Sequence, residues 1–197
     1  MLEAVRKLLE ADGQGSAYAF DLVNLTRQYL SNRFEAVFAD YKQAYEALDR
    51  ETMAAKKADL LGTFDLLESL LSTNSYFLVG KWIADARAWG ATPEEADYYE
   101  SNARNLLTTW GDRGNMLTDY ADRTWAGLVS TYYKGRWQMF LDAVDASLDA
   151  GTELDEEGLL DALKDFEYAW WSERPGTFAS TPNGDPKAAV RKVLEAY

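Results

Sequence analysis

The 197-residue sequence contains neither cysteine nor histidine. Without cysteine there is no disulfide framework and no thiolate nucleophile. Without histidine the commonest general base is gone, along with the usual zinc ligand and every Ser-His-Asp or Cys-His arrangement. Proline is scarce, and Pro175, Pro182 and Pro186 cluster near the end, leaving only Pro93 upstream. Long hydrophobic runs are missing too. The longest charge-free stretches, such as SLLSTNSYFLVG, fall short of the roughly 18 apolar residues that a membrane-spanning helix needs. The opening MLEAVRKLLEADG reads as a short amphipathic helix without the apolar h-region of a secretion signal. Positive charge is in deficit: 20 Lys+Arg against 33 Asp+Glu give a formal charge of −13. An anionic surface repels phosphate backbones and acidic lipid, which argues against nucleic-acid and membrane partners.

What is present is apolar and aromatic. With 47% hydrophobic and 14% aromatic residues, the chain can bury a sizeable core, and its length suits one domain over residues 1–197. Apolar residues recur at three- and four-residue spacing over proline-free stretches, which predicts helices almost throughout. The expected helices cover about 2–11, 18–48, 52–71, 76–90, 92–110, 117–148, 159–171 and 186–195. In the second, Leu22, Leu25, Tyr29, Phe34 and Phe38 track one broad face. Gly90 is placed as a C′ residue ending the fourth. Thr92 is an N-cap signal, with Pro93 at N1 and Glu94 and Glu95 in the first turn. Strand-like alternation and internal repeats are absent, so the fold class is all-α: a single, bundle-like helical domain of about seven to eight helices.

Chemistry is thinly supplied. Glycosidases need two carboxylates at defined separations, and helical spacing identifies no such pair here. Glu94 and Glu95 are explained by capping and ELDEEG by solvation of a connector. DAGTELDEEGLL lacks the residue order of a calcium loop, so no metal, cofactor or catalytic residue is assigned. The sequon at Asn24 lies inside an expected helix.

Two segments exceed a plain helical reading. In DLVNLTRQYL, Arg27 and Gln28 sit mid-helix beside an apolar face, where an arginine calls for a carboxylate partner. In TTWGDRGNMLTDYADRTW, Trp110 and Tyr120 flank a glycine-punctuated loop. Tyr120 is expected in the first turn of the helix that follows, with Leu128, Tyr132 and Phe140 on its buried side. The pattern alone fits core aromatics as well as aromatics presented at a cleft.

TRQ at 26–28, YFLVGKWIADARAWG at 76–90, YYESNARNLLTTWG at 98–111 and DYADRTWAGLVSTYYKGRWQMF at 119–140 occur together and in order. With these motifs nearly the whole chain resembles the C-terminal all-α domain of the α-N-acetylglucosaminidases, glycoside hydrolase family 89. The resemblance implies an accessory domain packed on a catalytic barrel of the same parent polypeptide. That parent would hydrolyse terminal α-linked N-acetylglucosamine with retention, using two glutamates in the barrel, so this chain alone is expected to be inactive. It also implies a parent that is exported from bacteria or lysosomal. The loop is what carries over: Trp110 and Tyr120 are expected to line the sugar pocket, with an aliphatic contact from Met116 or Leu117. Relatives read W-G-P-x-G-x-L-x-D-Y, whereas this sequence has WGDRGNMLTDY, with Asp112 for proline and one extra residue, so the aliphatic position stays open between the two. Phe20 and Asn24 stand where the family favours tyrosine and aspartate, near the face where Arg27 and Gln28 are expected to meet the barrel. The alternatives are a stand-alone helical module binding a glycan or protein, and a purely structural brace.

Overall fold

The computed structural model describes residues 1–115 and 118–197. Its described residues carry eight α-helices and no strand: α1 (Leu2–Glu10), α2 (Ser16–Glu46), α3 (Arg50–Leu71), α4 (Val79–Arg87), α5 (Pro93–Leu107), α6 (Lys134–Ala150), α7 (Glu156–Ser172) and α8 (Pro186–Glu195). Met1–Phe77 with Pro182–Tyr197 form one compact unit and Leu78–Thr181 a second.

In the first unit, α2 and α3 form a helical hairpin against which α1 and α8 pack. Leu22, Val23, Thr26, Leu30, Val37, Tyr41 and Ala44 are the buried positions of α2. The stripe therefore runs through 22, 26, 30, 37, 41 and 44. Leu25, Tyr29, Phe34 and Phe38, expected on the buried face with Leu22, are only half-buried on its flanks. Met53, Leu60, Phe64, Leu67, Leu70 and Leu71 meet that stripe from α3. The Thr26 hydroxyl is tolerated there because it donates to Leu22 O at 2.7 Å, which satisfies its own donor inside the core. The hairpin turns at Leu48, whose φ is 55°, and restarts where Asp49 accepts from Thr52 N–H at 3.1 Å. α8 is sealed to this unit by Val190 and Val193.

The second unit is built on Val79, Ile83, Leu107, Leu128, Tyr132 and Trp170, with Trp125, Phe166 and Phe178 packed around them. Thr92 caps α5 as expected, accepting from Glu95 N–H at 3.2 Å, while the Glu95 carboxylate accepts from Ala91 N–H at 2.8 Å. This reciprocal pair satisfies two donors that a helix start leaves open. Asp155 caps α7 by accepting from Gly158 N–H at 2.9 Å.

Three local expectations are corrected. The helix expected over 76–90 is interrupted: Ser75–Phe77 is a 3₁₀ turn, Leu78 is extended, and α4 starts at Val79. The cause is a parallel bridge from Leu78 to Ala126, with Val79 N–H donating to Ala126 O at 3.1 Å. Gly90 does not end α4 in a left-handed conformation. Its glycine is needed because a Cβ there would lie 2.3 Å from Ala96 N at the start of α5. Finally, the helix expected from 117 is absent over the described residues 118–127. Asp119 (φ 57°), Asp122 (φ 46°) and Gly127 (φ 85°) are all left-handed, which a right-handed helix cannot accommodate. Tyr120 therefore lies in an irregular turn, and helical structure resumes with the π-helical turn Val129–Tyr133 that feeds α6.

Candidate functional site: an aromatic platform at the end of α5

α5 ends at Leu107, and the chain leaves it through a network of short polar side chains. The backbone N–H of Trp110 donates to Asn105 O at 2.9 Å. Asn105 Nδ2 donates to Gly111 O at 2.7 Å, and Asn115 Nδ2 to Thr109 O at 2.8 Å. Gly114 takes the φ of 85° that reverses the loop. Arg113 then ties the loop tip to α7, through Asp165 and through Asp161 at 2.7 Å. Both carboxylates hold the guanidinium firmly in its charged form, with Asp165 the larger influence.

This lacing places Trp110 in the left-handed region, at φ 50°. For a bulky residue that conformation costs about 1–2 kcal/mol, and it persists only where surrounding bonds over-determine it. The return strand of the loop is fixed by Asp119, whose N–H donates to Thr108 O at 2.7 Å. Closing 108 to 119 brings the two aromatic rings together. Trp110 and Tyr120 stack with centroids 4.6 Å apart and planes inclined by 26°. Trp110 remains 42% exposed and Tyr120 65%. These rings are surface groups, so the core reading of the loop is set aside. Met116 and Leu117, between which the aliphatic contact was left open, lie outside the described residues.

Beneath the platform sits a charge cluster that the sequence reading missed. The Asp119 carboxylate pairs with Arg136 of α6, and Arg136 Nε lies 2.8 Å from Glu167 of α7. The Arg136 guanidinium also lies over the buried Tyr132 ring at 5.3 Å. Burial pushes Glu167 above the ordinary carboxylate range, with the Arg136 charge acting in the opposite direction. The signal that could have exposed this cluster is one arginine within GRWQMF, four residues after the buried Tyr132.

A second charge centre holds the outgoing chain. Arg104 is fully buried. It donates to Glu100 at 2.8 Å and to the carbonyls of Trp170, Pro175 and Gly176 at 3.1–3.2 Å. Arg87 bridges Asp97 and Glu100 at the rim of the adjoining polar cavity.

Between α4 and α5 runs an apolar groove of about 350 Å³ lined by Trp82, Trp89, Tyr99, Leu106, Ala103 and Asn102. Trp89 is 81% exposed. Among the described residues no three carboxylates gather as a metal site. Arg27 and Gln28 lie in the other unit. Arg27 donates twice to Asn24 Oδ1, at 3.2 and 3.0 Å, in the place where the resemblance favours an aspartate. Exposed Gln28 donates to Asn32 at 2.9 Å.

The described residues form an all-α fold that presents two exposed, stacked aromatic rings on a laced loop. The C-terminal domain of alpha-N-acetylglucosaminidase matches residues 1–196. Human alpha-N-acetylglucosaminidase is 34% identical over 184 residues, which are 92% of this chain and 24% of that protein. A family 89 glycoside hydrolase from Clostridium perfringens, in complex with 2-acetamido-1,2-dideoxynojirmycin, superposes on all of this chain with a TM-score of 0.86 at 26% identity, over 23% of its own length. The same bacterial enzyme in complex with its substrate GlcNAc-alpha-1,4-galactose matches 91% of this chain with a TM-score of 0.81, at 29% identity and over 21% of its length. The chain belongs to the family of alpha-N-acetylglucosaminidase C-terminal domains. It spans about a quarter of the length of these relatives.

Proposed function

We propose that this domain packs on the catalytic barrel of an α-N-acetylglucosaminidase and completes its sugar pocket with Trp110 and Tyr120. The parent hydrolyses terminal α-linked N-acetylglucosamine, and both catalytic glutamates belong to the barrel. The observation that carries the reading is the exposed, strained Trp110 stacked on exposed Tyr120. Pyranose rings bind through their C–H faces to aromatic rings and are oriented by a few hydrogen bonds. The platform offers ring area and edges, and the Tyr120 hydroxyl offers the polar contact. A terminal-sugar pocket must also exclude water, and a wall supplied by a second domain does so. In the second unit the groove at Trp82, Trp89 and Tyr99 supplies apolar surface for packing on the barrel; in the first unit Arg27 and Gln28 are the residues that meet it.

In the full-length enzyme, Trp110→Ala and Tyr120→Phe should each lower kcat/KM, by about tenfold or more for the tryptophan. Unchanged kcat/KM in both variants would remove the pocket role and leave a bracing domain.

A further inference from the structure

We propose that Arg136 is a positioning residue that fixes Tyr120 at the platform by clamping Asp119, the residue before it. The proposal rests on the pocket role of Tyr120. Its geometry belongs to the chain itself.

Asp119 is held at two points. Its N–H is bonded to Thr108 O at 2.7 Å, which sets the spacing between the two arms of the loop. That bond fixes the Asp119 N–H but not its ψ, which sets the direction in which the next residue projects. The carboxylate's pairing with Arg136 removes this freedom. It also holds the backbone at φ 57°, from which Tyr120 enters a turn closed by Asp122 N–H donating to Asp119 O at 3.0 Å.

Arg136 is fit to act as the fixed end because α6, α7 and the core all constrain it. It belongs to α6, its Nε faces buried Glu167 of α7 at 2.8 Å, and its guanidinium lies over fully buried Tyr132 at 5.3 Å. One planar guanidinium thus spans two carboxylates from different segments. An ammonium, as a compact point charge, does not reproduce this arrangement, in which the guanidinium donates to Asp119 while its Nε edge keeps an ion pair with Glu167. Its hydrogen bond goes to Asp119 and its ring contact to Tyr132, so it acts on Tyr120 through Asp119.

The test uses Asp119→Asn, Arg136→Lys and Tyr120→Ala in the full-length enzyme. Asp119→Asn keeps a side chain that tolerates the left-handed backbone and leaves the Arg136–Glu167 pair in place, so it decides the matter even if Arg136→Lys fails to fold. Two readouts are followed: hydrogen exchange at the amides of residues 118–122, and steady-state kinetics. Both single variants should exchange faster there. Each should lower kcat/KM by about tenfold, mainly through KM, as expected for a lost charge-assisted bond that orients a binding residue. In a Tyr120→Ala background the same changes should alter kcat/KM by less than about twofold, because the group being positioned is gone. Unaltered exchange at 118–122, or a full additive loss on top of Tyr120→Ala, overturns the proposal. If Tyr120→Ala leaves kinetics unchanged, the pocket role fails, and the exchange result alone decides whether Arg136 positions the segment.

Discussion

The α2–α3 hairpin and the 105–136 segment are both tightly specified, by opposite means. The hairpin rests on a stripe of largely apolar side chains at three- and four-residue spacing, and its buried Thr26 and Thr63 hydroxyls each donate to a carbonyl of their own helix. The 105–136 segment holds its shape with asparagines, aspartates and arginines that bridge α5, α6 and α7. Apolar burial is non-directional and tolerant of small shifts. Charged and amide bonds fix direction. A helical scaffold needs the first, and a loop that must aim two rings at a ligand needs the second.

Arg104→Met breaks the comparison most severely. It removes bonds to Glu100 and three carbonyls and takes from Glu100 one of its two arginine partners, leaving Arg87. The expected loss is about 3–5 kcal/mol, read by urea unfolding, with the cooperative transition of the second unit affected first. In the hairpin, Leu30→Ala should cost about 2–5 kcal/mol through the cavity it leaves. Unlike Asp119→Asn, it should not change hydrogen exchange at 118–122.

Acid should weaken the polar segment. Asp165 is held below the ordinary aspartate value of 3.8 by Arg113, and Asp97 likewise by Arg87. A carboxylate whose folded value is depressed stabilises the fold fully above the unfolded value and loses that contribution as pH falls through the folded one. The melting temperature should therefore fall as pH drops below 3.8. Asp165→Asn should flatten part of that fall, and an unchanged slope would separate the pair from stability. Glu167 has the opposite sign, because its raised value means that protonation relieves its burial as the pH falls.

The smallest effect concerns Asn24, which takes the position where the resemblance favours aspartate. Asn24→Asp would turn the two bonds from Arg27 into an i,i+3 ion pair, worth about 0.2–0.5 kcal/mol. Thermal unfolding at low salt should show a slight gain that added salt removes.

Much of the fold was legible in the sequence because helical periodicity and caps are local signals. Thr92, Pro93 and Glu95 marked the start of α5, and Pro186 the start of α8. The long helix expected through Tyr120 was not observed, because periodicity registers apolar spacing and is blind to left-handed aspartates such as Asp119 and Asp122. The break at Leu78 arises from pairing with Ala126, which lies 48 positions further along the chain. For the site, the quoted motifs singled out Trp110 and Tyr120, and the structure exposes both rings. Arg136 and Glu167 escaped notice because each is one charged residue in a helix, and only the packing of α6 on α7 brings them under Asp119.

The most direct measurement is hydroxyl-radical footprinting of the full-length enzyme with and without 2-acetamido-1,2-dideoxynojirmycin, followed by mass spectrometry of the peptides carrying Trp110 and Tyr120. If Trp110 and Tyr120 line the pocket, both side chains are protected when the inhibitor occupies it, while exposed Tyr45 in the hairpin is modified equally in either state. Equal modification of Trp110 and Tyr120 with and without inhibitor, under conditions where activity is fully blocked, would contradict it.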